Sequence, residues 1–306
     1  MRLCLIDLGT NSVRYDAYDL GGAALQRLHR EKRMVRLGDG LFGKGHLSPE
    51  ALARTEAALR DFSALNRHYG VTKVRAVGTA ALRSATDAPA ALTRLQDALG
   101  APIQVLSGDE EAALIAEGVL GSEEHLPSGP FILIDIGGGS TELNLCQGPK
   151  RLEGGSLDLG ANRLQQAFLK SLPPVKGGVA ALRQHAQAQL QDFKVRQQWP
   201  TVKVLVGSSG SIRALRKLAK TSGAKDQPFT LHFVTGLNER LQAFDRVSLM
   251  HVPGMDEKRV DLLLAGSLLL EEALKAFGAQ RVLVTEASLR EGLLFRELSA
   301  LKQAVV

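Results

Sequence analysis

The sequence predicts an α/β fold made of two structurally similar halves around a central cleft, and three observations support this prediction. The chain has 306 residues, which is more than a single hydrophobic core usually organises. Short apolar runs of strand length alternate with longer segments of helical periodicity. The pattern that opens the chain also returns near its middle, as expected if two halves share one design.

The first half is predicted to begin with a β-hairpin, whose strands span residues 3–6 and 13–18 on either side of a glycine-containing loop. A helix follows from Ser48, a capping residue with a proline directly after it, and ends near Gly70. Strand 74–78, helix 86–99, strand 103–107 and helix 110–120 continue the alternation of strands and helices.

The second half is predicted to begin after residues 121–130, which are polar and contain several helix-breaking residues. We therefore divide the chain into domains 1–125 and 126–306, and leave open whether the last helix packs back on the first domain. Strand 131–136 then restarts the opening hairpin pattern. The remaining predicted elements are strands 142–146, 151–156, 202–206 and 281–285, and helices near 160–170, 177–198, 236–247, 256–277 and 288–301 with one more from residue 212.

The overall charge favours an anionic partner, because the formal charge is +6 and the isoelectric point is about 9.4. The densest basic run, residues 27–36, contains no Phe, Trp or Tyr, and these aromatic residues make up only 5% of the chain. The stacking surface of single-strand nucleic-acid-binding proteins is therefore not expected, and we predict no nucleic-acid partner. We interpret the basic run as a solvated strand face.

Other compositional features predict a protein without a membrane span. No stretch of about 18 apolar residues is present, and the N-terminus does not resemble a signal peptide, so a cytoplasmic location is expected. Cys4 and Cys146 lie in predicted strands and are interpreted as buried thiols. The 7 histidines are scattered, so any metal ion is expected to have oxygen ligands.

Three glycine-rich loops, each following an apolar strand, are predicted to bind phosphate. Backbone N–H groups of such loops, with small hydroxyl side chains beside them, can point together at one anion. A single glycine turn of this kind is usually an ordinary turn, but three in one chain favour a phosphate site. The predicted phosphate-binding residues are Gly9, Thr10, Asn11, Ser12, Gly137, Gly138, Gly139, Ser140, Thr141, Gly207, Ser208, Ser209 and Gly210.

Acidic residues near these loops suggest a metal site. Asp7 and Asp135 stand at equivalent places in the two hairpins, each at the end of an apolar strand. Carboxylates beside phosphates commonly coordinate Mg²⁺, although each aspartate could instead cap its own turn. Glu142, on the returning strand of the second hairpin, could complete the metal site or orient a water molecule.

A second acidic cluster, Asp109, Glu110 and Glu111, lies at the start of a predicted helix. The helix macrodipole explains acidic residues there without any catalysis, while a cluster of three could also raise the pKa of one member and make it a general base. The spacing alone does not choose between these interpretations. Arg83 follows a strand and could bind phosphate, or be an ordinary surface arginine.

Taken in order, these motifs resemble the exopolyphosphatase and guanosine-pentaphosphate phosphohydrolase family, part of the superfamily of actin, sugar kinases and acetate kinase. The resemblance rests mainly on DLGTNSVR from Asp7, GTAALR from Gly78, SGDEEA from Ser107 and DIGGGSTE from Asp135. Shorter matches lie at 159–164, 206–210, 253–255 and 289–292. The resemblance implies two actin-like (ribonuclease H-like) domains.

Site residues follow from the resemblance by position. It implies that Glu111 is the general base and that Asp135 and Glu142 position Mg²⁺ and water. Phosphate contacts are implied for the segments that contain Asn11, Arg83, Gly138 and Ser209. Asn162 departs from the family pattern, in which an aliphatic residue is common, without touching the implied chemistry.

The implied activity is Mg²⁺-dependent release of terminal orthophosphate from inorganic polyphosphate, by direct attack of water. Another divalent ion and a requirement for K⁺ stay open, and a homodimer is the family-level expectation. Longer relatives append a helical region with a His-Asp motif, which helps to build a channel for long polyphosphate chains. This sequence ends without that region, so we expect a preference for short chains. Alternatives are hydrolysis of guanosine pentaphosphate to the tetraphosphate, a small-molecule kinase, and a sensor that binds without turnover.

Overall fold

The chain forms two compact units in the computed structural model, which describes residues 1–22, 24–221 and 228–304. Unit 1 contains Met1–Glu111 and Leu293–Val306, and unit 2 contains Ala112–Gly292. The domain boundary predicted between residues 125 and 126 stays a prediction.

Unit 1 contains a five-stranded sheet in the order β3-β2-β1-β4-β5. The first two strands form the predicted hairpin, and β4 and β5 extend the sheet in parallel with β1. The strands are β1 (Arg2–Leu8), β2 (Ser12–Asp19), β3 (Gln26–Met34), β4 (Lys73–Gly78) and β5 (Ile103–Val105). The helices are α1 (Leu41–Lys44), α2 (Pro49–His68), α3 (Ala80–Ser84), α4 (Ala88–Leu99) and the start of α5 (Gly108–Ser122).

The core of unit 1 lies between the sheet and its helices. All residues of β1 except the first are buried, and the Tyr15 ring packs 5.0 Å from that of Phe62 on α2. The predicted start of α2 is confirmed, because the Ser48 side chain accepts a hydrogen bond from the Ala51 N–H. Burial of this apolar face anchors the β1–β2 loop at one end of the sheet.

Unit 2 contains a second five-stranded sheet in the order β10-β9-β6-β7-β8. Its strands are β6 (Pro130–Ile136), β7 (Thr141–Gln147), β8 (Lys150–Leu157), β9 (Val204–Gly207) and β10 (Arg281–Val284). Its helices are α6 (Ala161–Leu164), a π-helix (Gln165–Leu169), α7 (Gly178–Arg196), α8 (Gly210–Thr221), α9 (Leu231–Leu241), α10 (Arg246–Met250) and α11 (Val260–Phe277), with the start of α12 (Leu289–Ala304).

Helix α11 forms the centre of unit 2. Most of its residues are buried, from Val260 to Phe277, and α7, α8 and α9 pack against it. A helix that is apolar on nearly every side belongs in a protein interior. Within the described ranges, every helix is too short or too polar to cross a lipid bilayer.

The two sheets share one strand order, since each places its first three strands side by side and adds two parallel strands next to the first. The prediction of two similar α/β halves of actin-like type is therefore confirmed. Strand β3 contains most of the basic run and lies at a sheet edge, in agreement with a solvated strand face. Cys4 and Cys146 are buried thiols, also as predicted.

The helix predicted at 236–247 is wrong. The structure has α9 and α10 instead, separated by residues 242–245. Asp245 accepts a hydrogen bond from the Ser248 N–H and so begins a new helix at Arg246. Thr230 caps α9 in the same way, through the Phe233 N–H. Thr230 lies before the predicted helix and starts α9 earlier, whereas Asp245 lies within the predicted range and starts a separate helix.

Candidate active site

The first glycine loop joins β1 to β2 in unit 1. The Gly9 N–H donates to the Ser12 carbonyl and closes the turn, with an N–O distance of 3.1 Å. The Thr10 carbonyl accepts a hydrogen bond from the Gly38 N–H at 2.8 Å. The Asn11 carbonyl also accepts one from the backbone of this segment, which follows β3. The C=O and N–H of a trans peptide point in opposite directions. The Asn11 N–H therefore points away from the segment that holds the Thr10 carbonyl.

Asp7 lies at the end of β1, directly opposite Arg14 on β2. The Arg14 guanidinium Nη1 is 3.8 Å from the Asp7 carboxylate, and both side chains are mostly buried. The negative charge of Asp7 is therefore balanced within unit 1 by a neighbouring cation. The predicted role of Asp7 as a metal ligand stays a prediction.

The structure separates the three acidic residues at the start of α5. Glu110 forms a capping box with Ser107: the Ser107 N–H donates to the Glu110 carboxylate at 2.8 Å, and the Glu110 N–H donates to the Ser107 hydroxyl. Hydrogen bonds from Ser107, above all from its backbone N–H, lower the pKa of Glu110. Glu110 therefore stabilises the helix start and is a poor candidate for a proton acceptor.

Glu111 has a different environment from Glu110. Its side chain is buried, with 7% of the residue exposed, and accepts a hydrogen bond at 3.0 Å from Nη1 of Arg83. The same nitrogen lies 2.9 Å from the Leu106 carbonyl, so Arg83 links the end of α3 to the start of α5. This arrangement fixes the orientation of one carboxylate in unit 1.

The second glycine loop joins β6 to β7 in unit 2 and is held from one side by α6. The carbonyls of Gly137 and Gly138 accept from the Ala161 and Asn162 N–H groups, both at 2.9 Å. The Gly139 carbonyl accepts from the Arg163 side chain at the same distance. Because all three carbonyls face α6, the N–H groups of the same peptides point away from it. Those N–H groups, from residues 138–140, lie on the side of the loop opposite α6, where the predicted phosphate would be bound.

Gly160, directly before α6, permits this close approach. A Cβ atom at residue 160 would lie closer than 3.0 Å to the carbonyl oxygen and carbon of Gly138. The backbone of Gly160 itself is extended, with φ −123° and ψ 155°, so any residue could adopt it. The glycine is required by the distance between the chain segments.

We expect Gly160→Ala to displace the second loop and lower the rate of phosphate release by about 10²-fold, because small misplacements at a reacting centre have effects of this size. Overpacking should also cost about 1–3 kcal/mol of stability. Gly129→Ala is the matched control, since no atom lies within 4 Å of a Cβ at that position. The measurement is phosphate release together with thermal melting, and an alanine variant with normal activity would contradict the assigned role.

The third loop joins β9 to α8. The Ser208 hydroxyl donates to Asp135 Oδ2 at 2.5 Å, and Ser208 is fully buried. The Ser209 hydroxyl accepts from the Ile212 N–H at 3.0 Å and caps α8. Ser209 therefore keeps its own O–H proton as a donor, whereas the Ser208 proton is engaged by the carboxylate.

Asp135 and Glu142 lie directly opposite each other on β6 and β7. Glu142 is 1% exposed, and the Ser156 hydroxyl on β8 donates to its Oε1 at 2.8 Å. Like charges facing each other across a strand pair are unfavourable, and oxygen ligands suit Mg²⁺. No group of three or more His, Cys, Asp or Glu that could hold a metal ion occurs among residues 1–22, 24–221 and 228–304. The residues present fit a Mg²⁺ ion held by one or two carboxylates with water and substrate phosphate.

Several predicted residues thus meet inside a unit: Glu111 with Arg83 in unit 1, and Asp135 with Ser208 and Glu142 in unit 2. Sequence reasoning missed two partners, Ser156 and Gly160. Ser156 is a cross-strand neighbour of Glu142 and carries no local signal, because its partner depends on a register that shifts by one residue between Leu145 and Cys146. The roles assigned to the predicted residues stay predictions.

Comparisons with known proteins show similarity along nearly the whole chain. The model of the Ppx/GppA phosphatase family matches residues 17–301. A curated relative, exopolyphosphatase 2 of Mycobacterium tuberculosis, is 31% identical over 311 residues, covering 95% of this chain and 97% of the relative.

Two solved structures are similar along the full length. The crystal structure of an exopolyphosphatase from Cytophaga hutchinsonii has a TM-score of 0.87 and 26% sequence identity, and the match covers 98% of each chain. The crystal structure of the Aquifex aeolicus member of the Ppx/GppA family has a TM-score of 0.76 and 25% identity, again covering 98% of each chain.

Proposed function

Because the chain belongs to the Ppx/GppA phosphatase family, we propose that it is an exopolyphosphatase, a phosphoanhydride hydrolase that releases terminal orthophosphate from inorganic polyphosphate. The observation that carries the proposal is the second glycine loop, whose N–H groups point away from α6 beside the facing carboxylates of Asp135 and Glu142. The donors proposed for phosphate and the ligands proposed for a divalent cation are thus neighbours along the same hairpin. The same activity is named for the relative from M. tuberculosis.

The proposed reaction is a direct hydrolysis. A water molecule gives a proton to the Glu111 carboxylate, and its oxygen bonds to the terminal phosphorus. The bond from that phosphorus to the bridging oxygen breaks, leaving orthophosphate and a chain shorter by one phosphate. Arg83 orients Glu111 through the 3.0 Å hydrogen bond, and the loop N–H groups stabilise charge on the phosphate oxygens.

Asp135 and Glu142 of unit 2 would hold a Mg²⁺ ion, and a role of Asp7 of unit 1 as a metal ligand stays a separate prediction. When bound, Mg²⁺ would neutralise phosphate charge and make the phosphorus more electrophilic. The buried Ser208 and the partly buried Ser156 each donate to one of the two facing carboxylates. These hydrogen bonds help to orient the two carboxylates.

The proposal is tested by measuring orthophosphate release from short polyphosphate, long polyphosphate and guanosine pentaphosphate in parallel, with and without Mg²⁺. We expect Mg²⁺-dependent release from polyphosphate, and the two chain lengths test the expected preference for short chains. A clear preference for guanosine pentaphosphate would make that nucleotide the substrate.

Other outcomes would contradict hydrolysis altogether. Transfer of phosphate to a small-molecule acceptor in place of water would indicate a kinase. Binding of polyphosphate by a folded protein with no phosphate released from any substrate would indicate a sensor.

A further inference from the structure

Four side chains form one row across unit 2, on four adjacent strands or their ends. The row runs from Ser208, directly after β9, through Asp135 on β6 and Glu142 on β7 to Ser156 on β8. Each serine hydroxyl donates to the carboxylate next to it, at 2.5 Å for Ser208 and 2.8 Å for Ser156. The row therefore has two acidic residues in the middle and a hydroxyl donor at each end.

The equivalent row in unit 1 has a different charge. Asp7 on β1 faces Arg14 on β2, and Arg14 faces Lys32 on β3. In unit 1 the residue opposite Asp7 is the cation Arg14. In unit 2 the residue opposite the equivalent Asp135 is the acidic Glu142. Like charges that face each other across a strand pair are unfavourable, whereas opposite charges in the same positions attract. Within this fold the acidic row of unit 2 is therefore the better cation site.

We propose that Ser156 is a positioning residue that orients the Glu142 carboxylate for a divalent cation, so that the row is formed before the ion arrives. The inference rests on the proposed function for its meaning in catalysis, but its first test needs no turnover. Glu142 sits on a strand in which its neighbours are fully buried, so its backbone is fixed and the remaining freedom is in its side chain. The 2.8 Å hydrogen bond from Ser156 restricts that freedom.

The isosteric pair Ser156→Thr and Ser156→Val tests this role, because both side chains have the same shape and only threonine has a hydroxyl. We measure binding of Mn²⁺ alone by electron paramagnetic resonance, using the signal of the free ion. Ser156→Val and Ser156→Ala should weaken Mn²⁺ binding about 10-fold, the lower end of the effect of removing a partner of a metal ligand. Ser156→Thr should keep the wild-type affinity.

Activity gives an independent readout. In Ser156→Val the Mg²⁺ concentration for half-maximal activity should rise, while KM for polyphosphate at saturating Mg²⁺ should stay unchanged. Ser171→Ala is the control, because it removes a comparable serine hydrogen bond in unit 2, to the Pro173 carbonyl.

Two outcomes would overturn the inference: equal Mn²⁺ affinity in the threonine and valine variants, or no Mn²⁺ binding by the wild-type protein. A third outcome separates the two proposals. If Mn²⁺ binding is weaker in Ser156→Val than in Ser156→Thr, but the wild-type protein releases no phosphate from any substrate, the inference is supported and the proposed function is contradicted. The two failures are thus distinguishable.

Discussion

Replacing Glu111 by glutamine should lower kcat for phosphate release by about 10²–10⁴-fold, the usual contribution of a general base. Glutamine has nearly the same shape and can still accept a hydrogen bond from Arg83 through its side-chain oxygen, but it cannot take a proton from water. KM for polyphosphate should therefore change little. The measurement is steady-state kinetics with each polyphosphate chain length.

Glu110→Gln is the matched control for this prediction. Glu110 lies one residue earlier on α5, but its carboxylate accepts from the Ser107 N–H in the capping box. Glutamine serves in such a box almost as well as glutamate, so kcat should stay close to the wild-type value. Activity lost equally in both variants, or kept in Glu111→Gln, would show that Glu111 is not the base.

The second large effect is a loss of stability, which we expect for Arg183→Met. Arg183 on α7 donates to the carboxylates of Glu271 and Glu272 on α11, and both glutamates are buried. Removing the cation would leave two carboxylates in the core of unit 2 with weaker compensation. Breaking such a buried pair from one side costs about 3–5 kcal/mol.

The single tryptophan of the chain, Trp199, gives a selective readout of this change. It is buried in unit 2 and packs 6.1 Å from the ring of Phe277 at the end of α11. Urea unfolding followed by Trp199 fluorescence should therefore show the loss of stability. Arg196→Met, also on α7, removes only an exposed ion pair with Asp192 and should change stability by less than about 1 kcal/mol.

Lowering the pH should destabilise unit 2 through the same group of residues. Burial by itself would raise the pKa of Glu271, but hydrogen bonds from Arg183, Lys275 and Asn238 outweigh it and lower the pKa from 4.5 to about 2. A lowered carboxylate pKa stabilises the folded state above the unfolded-state value and loses this contribution as the pH falls towards 2. The difference corresponds to about 3 kcal/mol.

Urea unfolding between pH 6 and pH 3 checks this dependence. Wild-type stability should decrease below about pH 4.5, and the decrease should be smaller in Arg183→Met because Glu271 has lost a partner. Equal slopes in the two proteins would contradict the assignment to Glu271.

Local sequence patterns were enough to predict the two hairpins, the similarity of the two halves and the position of each glycine loop. Period-2 apolar runs define strands wherever the neighbouring segments supply ordinary turns, and Ser48 before a proline is a complete helix signal by itself. The error at 236–247 is also local, because Thr230 and Asp245 are capping residues visible in the sequence, and they start two helices at Leu231 and Arg246.

The amino-acid sequence by itself therefore determined the α/β class, the two-fold repetition and the candidate chemistry of the loops, since these depend on residues close together in the chain. Only the tertiary structure showed the different surroundings of Glu110 and Glu111, the contact of Gly160 with the second loop, and the row that ends at Ser156. Each of these depends on which distant segments meet, and on the register in which neighbouring strands pair. A shift of one residue in that register would turn Ser156 to the other face of the sheet and remove its contact with Glu142.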